Sequence, residues 1–220
     1  MRLIQTLSSC LCTGIIALFT ACSQAPQSPI DSVNPFIGTG FHGHTYPGAT
    51  APYGAVQLSP DTRKGNWDAC SGYHYSDSTL MGFSHTHLSG TGCTDLGDIL
   101  IMPLNEIRTP RGNQDDIRDG YASKYSHDNE IARPEYYSLI LDRYNIKAEL
   151  TATDRVGFHR YTYPEGKPAS ILIDLREGNG SNAYDSYIRK VDDYTVEGYR
   201  YVRGLSLIHI SEPTRHSLIS

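Results

Sequence analysis

Tryptophan occurs once in this chain, methionine three times and phenylalanine five times, against 16 tyrosines. The aromatic content is therefore mostly tyrosine, which suits strands and surfaces that need a flat apolar ring with a polar tip. No run of basic residues occurs, and Lys plus Arg (19) are outnumbered by Asp plus Glu (24). That balance excludes an electrostatic nucleic-acid binder. No apolar run reaches the roughly 18 residues of a membrane-spanning helix. No segment keeps a long 3.6-residue apolar period, so no long amphipathic helix is expected. Charged residues make up 20% and hydrophobic residues 39%, a globular balance that excludes wholesale disorder. The 220 residues leave room for one or two domains.

The N-terminus reads as a targeting segment. Met1-Arg2 gives a positive start, and Leu11 to Phe19 is apolar apart from Cys12, Thr13 and Gly14. The stretch ends in Leu18-Phe19-Thr20-Ala21-Cys22, small residues and then a cysteine, as at a bacterial lipoprotein processing site. Phe19 departs from the Leu such sites prefer, and a plain secretory signal with an incidental Cys remains open. Residues 1–22 are thus expected to be a signal with lipidation at Cys22, holding the protein on a bacterial membrane without a spanning helix. Residues 23–30 follow as a linker. No acidic residue lies in Ser23 to Ser28, which leans the expected site within the cell envelope toward the periplasm rather than the outside.

Of five cysteines, Cys10 and Cys12 leave with the signal and Cys22 carries lipid. Cys70 and Cys93 remain, in an export compartment that permits disulfides. A bridge between them would close a loop worth roughly 3 kcal/mol at most. The other reading is two small thiols lining a pocket.

The rest reads as all-β. Ile146 to Thr153 alternates apolar and polar, the pattern of a half-buried strand. Ala169 to Leu175 is a continuous apolar run and is expected to be a central strand buried on both faces. Tyr136 to Leu141, Val156 to Tyr163 and Tyr194 to Val202 are rich in aromatic and β-branched residues, with turn signals between them. Strands at this spacing suggest a sandwich or barrel. Arg108 to Ser126 is polar and is expected to be a long loop.

The chemistry-bearing residues crowd between Asn34 and Pro103. His42-Gly43-His44 and His85-Thr86-His87 each place two rings on one side of an extended strand, and with His74 and Asp68 they could form a zinc site for a metal-dependent hydrolase. Ser89 has histidines and Asp95 nearby but lacks the Gly-x-Ser-x-Gly elbow of serine hydrolases. Asp95 and Asp98 could be a glycosidase acid/base pair, although Asp before Gly more often makes a turn. Trp67 is set among Gly65, Asn66 and Asp68, with Tyr73 and Tyr75 following. A core Trp rarely has such polar neighbours. An indole face flanked by Asp, Asn and His matches a sugar ring, which has apolar faces and hydroxyl edges.

Three strings carry a family resemblance: Val33-Asn34-Pro35-Phe36-Ile37-Gly38-Thr39-Gly40, Gly65-Asn66-Trp67-Asp68-Ala69-Cys70-Ser71-Gly72-Tyr73, and Gly82-Phe83-Ser84-His85-Thr86-His87-Leu88-Ser89-Gly90-Thr91-Gly92-Cys93. Over residues 31–204 the chain resembles glycoside hydrolase family 92, the calcium-dependent, inverting exo-α-mannosidases. The resemblance implies an N-terminal β-sandwich whose partner, an (α/α)6 barrel, carries the catalytic acid, the base and most calcium ligands. It implies that the chain stops before that barrel, so no catalytic residue and no metal ligand is carried over. Trp67 matches a Trp that contacts mannose in α-1,2-specific members, and Asp68, Cys70, Tyr73, His85 and His87 fall in the matching strings as substrate-binding candidates. The implied partners are mannose-containing N-glycans or mannan. A self-sufficient carbohydrate-binding sandwich is the other reading. Residues 205–220 continue no strand pattern and resemble translated sequencing-adapter read-through, so they are expected to be non-native.

Overall fold

The computed structural model describes residues 28–111, 120–176 and 178–204, and the backbone of 214–217. The chain divides into two units, Met1–Ser32 and Val33–Ser220. Of the first, the described part is a 3-10 turn, Pro29–Ser32, in which Asp31 Oδ2 accepts from Ser28 N. The signal segment, Cys22 and most of the linker lie outside the described residues, as does the tail except for the backbone of one strand.

The second unit is built from short antiparallel strands. They are β1 (Ala49–Thr50), β2 (Gln57–Asp61), β3 (Thr79–Leu80), β4 (Gly82–Ser84), β5 (Leu100–Leu104), β6 (Ser123–Lys124) and β7 (Ile131–Arg133). Then come β8 (Tyr136–Leu141), β9 (Ile146–Ala152), β10 (Gly157–Thr162), β11 (Ser170–Asp174), β12 (Ala183–Lys190), β13 (Thr195–Val202) and β14 (Thr214–Ser217). One sheet has the order β1-β2-β4-β5-β11 and a second the order β10-β9-β8-β7. A third sheet is β12-β13-β14, and β3 pairs with β6. The all-β expectation holds.

The β8–β9 hairpin shows how the pattern makes the fold. Its register sets Tyr137 opposite Leu150, Leu139 opposite Ala148 and Leu141 opposite Ile146, so the apolar period falls on one face. The turn between them closes with Tyr144 N donating to Leu141 O and with Asn145 at φ +50°, a conformation Asn tolerates. That face packs against the first sheet, where Leu58, Phe83, Leu100 and Met102 are fully buried. Burial of each such side chain contributes about 1.5–3 kcal/mol. On the outer face of β9, Glu149 is held by Arg160 of β10 through two bonds of 2.9 and 2.7 Å and by the Tyr136 hydroxyl at 2.9 Å. These donors pull its carboxyl down to about 2.

One strand differs from its reading. β11 lies at the end of the first sheet beside β5, and Ile171 is 40% exposed. Its other side borders a cavity of about 350 Å³ shared with β12, lined by Ile173, Leu175, Tyr187 and Ile188. An apolar run of this length is the same in a central strand and in an edge strand facing an apolar groove, so the pattern could not separate them. The third sheet is tied to the segments that flank β5 and β11 by Arg200 of β13. That side chain is fully buried, pairs with Asp98, and donates to Leu175 O (2.9 Å) and Ser181 O (2.8 Å). Of the long polar loop, the described part is not all surface, since Tyr121, Ala122 and Tyr125 are buried and β6 pairs with β3.

Candidate functional site

The lone tryptophan stands on a 3-10 turn, Trp67–Ala69, capped by Asn66, whose Oδ1 accepts from Asp68 N at 2.9 Å. The Cys70 thiol closes the turn from behind by donating to Trp67 O at 2.6 Å. Trp67 is 56% exposed, an uncommon state for so large an apolar group. The loop before β1 builds the wall around it. His44 meets the indole edge-on at 4.6 Å and 88°, and His42 lies 5.0 Å away. His42 Nδ1 donates to Asp68 Oδ1 at 2.5 Å, and the exposed Phe41 ring leans on His42 at 4.0 Å. On the far side a side-chain carbon at Gly92 would stand 3.3 Å from Trp67 Nε1, so glycine there keeps the indole N–H clear. The result is a flat apolar ring bordered by an imidazole, a carboxylate and an amide. His44 Nε2 is buried without a hydrogen-bond partner among the described residues.

Residues far along the chain fix this geometry. Ser71 Oγ and Gly90 N both donate to His44 O, at 2.5 and 2.7 Å. Asn179 receives Gly65 N on its Oδ1 (3.1 Å), donates Nδ2 to Cys70 O (2.6 Å) and gives its backbone N–H to Leu96 O (2.7 Å). One residue thus clips the two ends of the tryptophan turn to the segment after Cys93. Gly72 has φ +85°, and a Cβ there would collide with the Asp61 carboxylate and press on the His87 ring.

The sequence candidates separate into those at the indole and those beneath it. Trp67 and Asp68 are together on the exposed face, and Cys70 is directly under it. Tyr73 is 1% exposed, and its hydroxyl donates to Glu130, which also receives Tyr137 Oη and His127 Nδ1, each at 2.5 Å. Burial pushes the Tyr73 and Tyr137 hydroxyls well above their usual range, which keeps them as donors. His85 and His87 are also buried. His85 Nδ1 donates to Ile99 O (2.8 Å), and its Nε2 meets His159 Nε2 (3.1 Å). His87 Nδ1 donates to Gln57 O (2.7 Å). Tyr73, His85 and His87 are thus internal braces and not part of the exposed face. Cys70 and Cys93 are free thiols here, one buried and one exposed.

The two His-x-His pairs do not converge. His42 and His44 flank Trp67, while His85 and His87 lie under the sheet, and among the described residues no group of three or more His, Cys, Asp or Glu is placed to hold a metal. The His-based metal hydrolase is corrected on that finding. The same finding applies to calcium, which takes about 6–8 oxygen ligands. The buried Asp61, whose Oδ2 is orphaned, faces the His87 ring and not other carboxylates, so the described residues do not fit that ion. A serine triad fails too. Ser84, not Ser89, lies beside His87, and Ser84 Oγ and Asp61 Oδ1 both meet the same ring nitrogen, so no proton relay runs through the imidazole. Asp95 and Asp98 are buried, Asp98 against Arg200 and Thr86, in structural roles.

The sequence profile of the glycosyl hydrolase family 92 N-terminal domain matches residues 32–216. The chain belongs to this family. A family 92 α-mannosidase of Bacteroides thetaiotaomicron, solved in complex with mannoimidazole, is 47% identical with a TM-score of 0.77, over 80% of this chain and 23% of that one. A second structure, an inverting family 92 mannosidase of Bacteroides thetaiotaomicron VPI-5482, is 27% identical with a TM-score of 0.64, over 81% of this chain and 24% of that one. An uncharacterized secreted glycosidase of Arthroderma benhamiae is 29% identical over 180 residues, 77% of this chain and 22% of its own length. The chain therefore spans about a quarter of the length of the family 92 proteins it matches. The grouping of Asn66, Trp67 and Asp68 on one exposed turn was legible from their adjacency in the sequence. His44 appeared only in the metal reading, and Asn179 carried no local signal at all.

Proposed function

We propose that this domain supplies the sugar-facing wall of an inverting, calcium-dependent exo-α-mannosidase that removes terminal α-1,2-linked mannose from N-glycans or mannan. The observation that carries the reading is the half-exposed Trp67, held between histidine rings and beside Asp68. The indole takes the apolar face of a mannose ring, while Asp68 accepts from a hydroxyl and His42 donates to or accepts from another. An inverting reaction needs two carboxyl groups about 6.5–9.5 Å apart with a water between them. The buried Asp95 and Asp98 are committed to structural partners, so this domain binds and orients, and by itself hydrolyses nothing. The acid, the base and the calcium ligands belong to a helical partner domain in this reading. The resemblance to a secreted glycosidase supports export, and lipidation of Cys22 would hold the enzyme at a bacterial envelope.

The test is Trp67→Ala in the full-length polypeptide acting on α-1,2-mannobiose. Loss of one stacked ring, about 1.5 kcal/mol, raises KM about tenfold with a smaller fall in kcat. An unchanged KM refutes the assignment. Tight glycan binding by this domain, with no hydrolysis by the longer polypeptide, would make it a binding module instead.

A further inference from the structure

Two cysteines lie in segments that border Trp67. Cys70 Sγ donates to Trp67 O, while Cys93 directly follows Gly92, the residue against Trp67 Nε1. The segments bearing the two cysteines are also joined by one residue, Asn179, which bonds to Cys70 O and to Leu96 O, three residues after Cys93. Cys93 is exposed, in a loop without regular structure between β4 and β5, next to two glycines. Gly90 there has φ +71°, with its N–H on His44 O and open space where a Cβ would stand.

We propose that Cys70 and Cys93 are joined as a disulfide by exchange with a small-molecule disulfide, stapling the glycine loop to the tryptophan turn. Cys93, the exposed thiol, attacks first as thiolate: its sulfur bonds to one sulfur of the incoming disulfide, whose other half leaves as a thiolate. The Cys70 thiolate then attacks Cys93 Sγ and expels the second half. The protein loses two protons and two electrons, and the small-molecule disulfide is reduced to two thiols. Burial pushes the Cys70 thiol up, with the Cys93 charge adding to the rise, which suits Cys70 to the second step and not the first. Once bridged, Cys70 no longer donates to Trp67 O, and the glycine loop is anchored at the indole edge.

The experiment incubates the full chain with oxidised and reduced glutathione, alkylates the remaining thiols and digests with chymotrypsin. This protease cuts at Tyr73, Tyr75 and Phe83, between the two cysteines, and separates them from Cys10, Cys12 and Cys22. The expected product is a Cys70–Cys93 cross-linked pair that dithiothreitol releases, with a shift in the emission of Trp67, the only indole. Cys70→Ser should stop at a glutathione adduct on Cys93, and Cys93→Ser should leave Cys70 alkylated. A wild-type chain that ends with glutathione on Cys93 and an alkylated Cys70 overturns the proposal. So does a chain with both cysteines alkylated. A bridge that leaves the Trp67 emission unchanged overturns its coupling to the indole.

Discussion

Arg200→Met should destabilise this domain by far more than the loss of an exposed ion pair would. The arginine is fully buried, and burial lowers its pKa while Asp98 opposes that shift. Removing the guanidinium leaves the Asp98 carboxylate in the interior with Thr86 Oγ1 as its remaining side-chain donor, takes the donor from Leu175 O, and leaves Ser181 O with the Gly178 N–H alone. Breaking a buried pair from one side costs about 3–5 kcal/mol, because the orphaned charge stays in a medium that solvates it poorly. With a urea m-value of about 2 kcal/mol/M, the midpoint should fall by roughly 1.5–2.5 M. Adding Asp98→Asn should recover part of that loss, since the uncompensated charge is then gone. The assay is urea unfolding followed by far-UV circular dichroism for the wild type, both single variants and the double variant. A loss below about 1 kcal/mol for Arg200→Met, within the range of an exposed ion pair, refutes the reasoning. So does a double variant no more stable than Arg200→Met alone.

Other expectations use the same structure. Gly72→Ala forces a Cβ into a residue at φ +85° and against the Asp61 carboxylate, and should cost about 2–4 kcal/mol in thermal or urea unfolding; a neutral effect would show that the turn relaxes freely. Glu149, with its folded value near 2 against the usual 4.5, adds stability that is fully present above 4.5 and disappears as pH falls toward 2. Glu149→Gln should therefore flatten the stability profile in that acid window, and an unchanged slope there would count against the Arg160–Glu149 bond.

Much of the fold is readable because the core is laid down by period-two strands. Ile146, Ala148, Leu150 and Ala152 alternate as a half-buried strand must, and β8, β10 and β13 follow their aromatic and β-branched runs. β12 has almost no buried side chain, so its residues leave no alternation to detect. The site divides on similar grounds. Trp67 announces its exposure through Gly65, Asn66 and Asp68, small and polar neighbours that a core residue would not keep. Tyr73, His85 and His87 occur in equally unusual strings, yet their partners Glu130, His159 and Gln57 lie up to 74 positions away. Local composition cannot tell an outward ring from one that braces the loop beneath it. Asn179 and Arg200 show the same limit, since their value comes from carbonyls and a carboxylate that only folding brings near.

Asn179 also imposes an order on synthesis. The tryptophan turn emerges from the ribosome more than a hundred residues before the amide that clips it at Gly65 and Cys70. Until then the turn has its own cap and the bonds to His44 O, but lacks the clip on Gly65 and Cys70. The exposed face around Trp67 therefore takes its final form only after the connection between β11 and β12 has been made.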